Sequence, residues 1–159
     1  MEDWHASLPG HLALNNANFY VHEEQQTLGA FFALHLVYHS SRVDLARATL
    51  AGYSFPIPST LADTSPEFRA HYQERAFHHA ASVSSILGSG LVHSPSCFDD
   101  YSASTAAFES TKVQIIYATT VAWADSCLHR QIASNIHTNL RVLQVMYPYM
   151  DMPNVYVSC

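Results

Sequence analysis

At 159 residues the chain is long enough for one domain with a buried core and tight for two, and we read 1–159 as a single domain. Charged residues make up only 13% against 48% hydrophobic, about half the usual charge, so part of the surface is expected to be covered. The net charge is -6, and the seven Lys and Arg are scattered without a cluster, which excludes direct binding of nucleic acid by this chain.

Cys97, Cys127 and Cys159 lie too far apart for a CxxC metal pair, and an odd number argues against a secreted disulfide scaffold. The acidic start MEDWHASLPG is unlike a signal peptide, and no apolar run reaches membrane-spanning length. A reducing intracellular compartment is the expectation, and no Lys/Arg-rich import signal is visible.

The first long helix is predicted over about 22–50. Leu28, Phe32, His35, His39, Val43, Ala46 and Leu50 recur at spacings of three and four. Phe31, Leu34, Leu36, Val37 and Tyr38 make it apolar nearly all round, as in the centre of a bundle. Gly52 supplies a stop, and Pro56 and Pro58 forbid continuation. The second helix opens on TSPEF, with Thr64 or Ser65 as cap, Pro66 in the first turn and Glu67 placed for a capping box with Thr64. Its polar face carries Glu67, His71, Glu74, His78, Ser82 and Ser85. Its apolar face carries Phe68, Tyr72, Ala76, His79, Val83 and Ile86, and it is expected to end at Gly88.

A third segment, about 99–121, contains the β-branched stretch KVQIIYATTVAW. It is read as a helix because ASTAAFES upstream lacks strand alternation and no hairpin turn follows. Asp125 or Ser126 caps a fourth helix with Leu128, Ile132, Ile136, Leu140, Leu143 and Tyr147 on one stripe. The predicted fold class is all-α, a bundle of about four helices.

HLVYH places His35 and His39 on one helical face, but Leu36 stands where a zinc-protease motif needs glutamate. Both imidazoles are therefore expected between helices, and truncating His35 should cost about 1–3 kcal/mol of stability. His71 and His78, with Glu74 between them, read as a solvated face, while His79 turns inward. Gly88, Ser89 and Gly90 read as punctuation, since there is no GxSxG elbow. Cys127 is expected to be a buried small residue, and Asp99 with Asp100 to begin a helix. No nucleophile, base and oxyanion donor assemble, so no catalytic, cofactor-binding or metal-ligating residue is assigned and the chain is read as not an enzyme. A metal-dependent hydrolase using His35 and His39 is the weakest alternative. Tyr20, Tyr38, Tyr53, Tyr72 and Tyr117 could lend polar tips to a small-molecule pocket in a metabolite-sensing domain, although aromatic core suits most of them.

Four segments carry a further signal: LGAFFALHLVYHSSRVDLARATLAGYSFP, FRAHYQERAFHHAASVSSIL, FESTKVQIIYAT and HTNLRVLQVMYP. In that order they resemble parts of the fungal-specific transcription factor domain, the middle homology region of fungal zinc-cluster transcription factors. The resemblance spans roughly residues 4–149. It implies that the paired histidines with Asp44, Leu45 and Arg47 are helix-packing elements. It also implies a transcription-regulatory module in the nucleus, working through a protein partner or self-association, with a small-molecule effector possible. The family's six-cysteine zinc cluster is absent here, so DNA is reached only indirectly and no zinc or other cofactor is expected in this chain. With the family's preceding helices also missing, we expect an incomplete part of a larger domain. Its uncovered first helix should expose a patch drawn from Phe31, Phe32, Leu34, Leu36 and Val37, which a second chain would bury.

Overall fold

A computed structural model describes residues 7–52, 63–94, 98 and 101–147. Over these residues it contains five α-helices and no strand, so the all-α reading holds. They are α1 (Asn16–Glu24), α2 (Leu28–Ala46), α3 (Pro66–His93), α4 (Tyr101–Thr120) and α5 (Ser126–Met146). Short 3-10 turns cover Gly10–Leu12 and Arg47–Thr49. Cys97, Cys159, Asp99, Asp100, Tyr53, Pro56 and Pro58, on which sequence expectations fall, lie outside the described residues.

The caps follow local chemistry. Asn15 Oδ1 accepts from the Asn18 amide at 2.9 Å and starts α1. Ser65 Oγ accepts from the Phe68 amide at 3.2 Å, with Pro66 as the first helical residue of α3. The cap is thus one residue later than a Thr64–Glu67 box requires. Glu67 sits in the first turn, where its own backbone amide, and then Ser65, hold its carboxyl below the usual range. Asp125 Oδ1 accepts from the amides of Cys127 and Leu128 at 3.0 and 2.9 Å and starts α5.

The predicted first helix is in fact two. Gln26 takes a left-handed backbone (φ 58°), and the Thr27 amide closes the turn on the His22 carbonyl at 2.9 Å. This turn folds α1 back over α2. Phe19 meets Phe31 edge-on at 5.9 Å and Phe32 at 5.3 Å, and the His22 ring stacks on Phe31 at 4.3 Å. The expected exposed patch is therefore mostly absent. Phe31, Phe32 and Leu36 are buried, Leu34 is half-buried, and only Val37 of the five is exposed, at 58%. The full stripe Leu28, Phe32, His35, His39, Val43, Ala46 and Leu50 is buried as its spacing required.

α3 also runs past its predicted end, through Gly88 and Gly90 to His93. At 28 residues it is about 42 Å long. These glycines serve close packing. A Cβ on Gly90 would meet the Phe98 ring at 2.1 Å, and one on Gly88 would meet Thr138 Cγ2 at 3.3 Å. Two apolar clusters mark opposite ends of the bundle. One joins the first half of α2, the later part of α3, the start of α4 and the end of α5, around Phe32, Leu87, Ala107 and Val142. The other joins the second half of α2, the earlier part of α3 and Val113 of α4, around Val43, Ala76 and Ala80. Consecutive helices α2 to α5 therefore alternate in direction, as in an up-down bundle.

α5 lies rotated from its predicted stripe. Ile132, Asn139, Val142 and Met146 face inward, whereas Leu140 and Tyr147 are exposed. A stripe built on steps of four drifts about 40° per step on a helix of 3.6 residues per turn, which carries Leu140 out of the core.

Candidate functional site

The bundle interior uses its histidines as hydrogen-bonding parts. His35 is fully buried, and its Nε2 donates to the Leu12 carbonyl at 2.9 Å, tying α2 to the N-terminal 3-10 turn. His39 turns instead towards α3, where its Nδ1 lies 3.0 Å from Nδ1 of His79. One ring donates and the other accepts, so the accepting imidazole is neutral. His79 is buried as expected, while His71 and His78 are exposed on the outer face of α3. His22, which the sequence reading passed over, is buried as well. Its Nε2 donates to the His11 carbonyl at 3.0 Å, and Nδ1 pairs with the Thr27 hydroxyl at 2.8 Å. Among the described residues no three His, Cys, Asp or Glu side chains converge to hold a metal ion. Cys127 is exposed at the start of α5 and not buried, because its amide caps on Asp125 in the outermost turn.

A polar belt crosses the α3–α4–α5 interior. Gln114 Nε2 donates to Ser84 Oγ at 2.9 Å and Ser110 Oγ at 3.0 Å, and Gln114 Oε1 accepts from Asn135 at 2.7 Å. Ser110 donates to the Ala80 carbonyl at 2.8 Å, and Asn139 Nδ2 reaches Thr111 Oγ1 at 3.0 Å. Nothing in the apolar periodicity announced this belt, since its members occupy core positions as polar residues.

Two cavities flank α2. The first, about 440 Å³, lies between α2 and α4 over Val83 of α3. Its apolar walls include Leu36, Val43 and Ala106, and its charged rim is Asp44, Arg47 and Glu109. Arg47 Nη1 donates to Glu109 Oε2 at 2.6 Å and Nη2 to Asp44 Oδ1 at 3.1 Å, while Lys112 also reaches Glu109 at 3.1 Å. The charges of this rim offset one another.

The second cavity, about 320 Å³, lies between the C-terminal end of α2 and the first half of α3. Arg42, Arg75 and His79 line it together with Leu45, Phe68 and Tyr72. Leu45, expected to pack between helices, is 61% exposed at its edge. Of the tyrosines expected to lend polar tips to a pocket, Tyr72 lines this cavity and Tyr38 lies beneath the Arg42 guanidinium at 5.7 Å. Tyr20 is exposed. Tyr117 stacks on Phe77 at 4.6 Å, and burial, then the nearby charge of Glu74, raises its hydroxyl pKa above the ordinary value.

Comparison of the chain with protein-family models, with characterised proteins and with solved structures finds no match. The class defined by its own structure is an all-α bundle, and no helix among the described residues is long and apolar enough to cross a membrane.

Proposed function

We propose that this chain is a non-catalytic, transcription-regulatory helical module related to the middle homology region of fungal zinc-cluster transcription factors. It works in the nucleus through contacts with a protein partner or a second copy, and reaches DNA only indirectly. The observation that carries this reading is the placement of the four resembling segments. Their described residues fall in order on α2 with the turn that follows it, α3, α4 and α5. The internal hydrogen bonds of His35, His39 and His79 support a packing role for the residues that most suggested chemistry. Arg47, one of the packing elements of the resemblance, joins α2 to α4 through Glu109.

The two cavities favour a second component of the same reading, a small-molecule effector. Their volumes, about 440 and 320 Å³, fall within the range of small-molecule sites.

Fusion to a heterologous DNA-binding domain tests the regulatory role. The fusion should raise or lower a reporter several-fold relative to the DNA-binding domain alone. Output equal to that control, with the fusion intact and nuclear, would contradict the proposal.

A further inference from the structure

The bond between His39 and His79 joins α2 to α3 through two imidazoles, the side chain whose ordinary titration lies closest to neutral pH. Both rings are buried, and their Nδ1 atoms stand 3.0 Å apart, a separation that leaves room for one proton between them. Two neutral rings carry one N–H each, and the accepting ring holds its own on Nε2. A third proton makes one ring an imidazolium and leaves the N–H···N bond intact. A fourth has only the accepting lone pair to occupy. It breaks the bond, turns two N–H groups against each other and leaves two buried cations side by side.

The surroundings oppose that last proton. The charged described residues that line the adjoining cavity with His79 are Arg42 and Arg75, both cations, and Tyr72 lines it too. Tyr38 lies against both rings, 5.1 Å from His39 and 6.1 Å from His79, and the His78 ring is 5.6 Å from His79. On α4, which packs on both helices, Glu109 is engaged by Arg47 and Lys112, and Tyr117 stacks on Phe77. The charge of Glu74 on α3 acts on Tyr117. Val43, one turn beyond His39, and Ala76 and Ala80, on either side of His79, belong to an apolar cluster.

We propose that the His39–His79 bond is an acid-sensitive latch between α2 and α3, closed while one proton lies between the two Nδ1 atoms and opened when each carries its own. The opening step takes one proton from solvent, breaks one N–H···N bond and adds one positive charge to the seam. The latch contribution is complete above the ordinary imidazole range and is lost as pH falls through uptake of the fourth proton. The cluster around Phe32 and Leu87 takes no part in the bond, so the first loosening is local to the Val43–Ala80 end. The latch stands whether or not the chain regulates transcription.

Nitrogen-15 spectra of the imidazoles, recorded on the full chain from about pH 7.5 to about pH 4.5, test the proposal. At neutral pH one Nδ1 should be protonated and the other a bare lone pair, with a scalar coupling between them. The accepting ring should need at least about tenfold more acid than a free imidazole to become protonated. Loss of the coupling should coincide with at least about a tenfold fall in hydrogen-exchange protection at Val43 and Ala80, with Val142 of α5 unchanged. His79→Asn keeps a hydrogen-bonding group in the place of Nδ1 but does not titrate, and it should abolish the acid-linked fall. His39→Asn replaces it if that variant does not fold, and if neither folds the coupling and exchange of the unaltered chain decide alone. The proposal is overturned by the absence of coupling at neutral pH, or by an accepting ring that protonates as readily as a free imidazole. It is equally overturned by both Nδ1 atoms protonated with Val43 and Ala80 still protected, by equal loss at Val142, or by an undiminished acid response in a folded Asn variant.

Discussion

Two seams run along α3, and they treat buried polar groups differently. On the side of α4 and α5, Gln114 satisfies Ser84, Ser110 and Asn135 at 2.7–3.0 Å, and the hydroxyl of Ser110 reaches the Ala80 carbonyl. Asn139 Oδ1 is left over there, a neutral acceptor. On the side of α2, Arg42 leaves over two buried donors of a permanently charged group, with no hydrogen-bond partner among the described residues. Burial of polar groups is common to both seams. Satisfaction separates them: a network of mutual hydrogen bonds specifies the packing, whereas a buried charge whose donors lack partners among the described residues weakens it.

Substitutions can sharpen or break this contrast. Gln114→Ala should have the largest effect, about 3 kcal/mol, because Ser84 and Ser110 each lose a donor and the Asn135 amide its acceptor, and because a void opens. His35→Ala should cost about 1–3 kcal/mol, since the Leu12 carbonyl loses its donor and α2 its tie to the N-terminal turn. Arg42→Gln should change stability by less than about 0.5 kcal/mol or raise it, because the lost charge had no hydrogen-bonding partner at that edge. Urea denaturation of the three variants checks the order. If Arg42→Gln cost as much as Gln114→Ala, the contrast between the seams would collapse.

The smallest effect concerns pH. Burial and the Glu74 charge favour the neutral form of Tyr117 in the folded state, so its folded pKa lies above the unfolded one. Its contribution is complete below the unfolded pKa and is lost as pH rises through the folded pKa. Denaturation midpoints should therefore fall in the alkaline range, and Tyr117→Phe should flatten that fall.

Part of this organisation was legible in the sequence. The stripe from Leu28 to Leu50 was readable because apolar residues repeat at helical spacing and every member is buried. The break before Leu28 was not, because Gln26 adopts a left-handed backbone in a run that lacks glycine or proline. Gly88 and Gly90 look like a helix end when only chain-breaking is considered. Their role depends on Thr138 and Phe98, which tertiary packing brings to within reach of a single added carbon. The inward face of α5 was misphased because Asn139, at its centre, is polar and joins a network visible only across helices. His35 and His39 were rightly placed inside, but their separate partners, Leu12 and His79, follow from the fold. The cavities were not legible at all. Arg42 and Arg75 stand 33 residues apart (75 − 42), and nothing in their spacing announces that α3 returns beside α2.

The most direct measurement of the contrast between the seams is a pair of double-mutant cycles followed by urea denaturation. The account predicts a coupling of about 1 kcal/mol or more between Gln114→Ala and Asn135→Ala, whose side chains share a 2.7 Å hydrogen bond, and none between Gln114→Ala and Arg42→Gln. Additive losses for Gln114 and Asn135, or an equal coupling of Gln114 with Arg42, would contradict it.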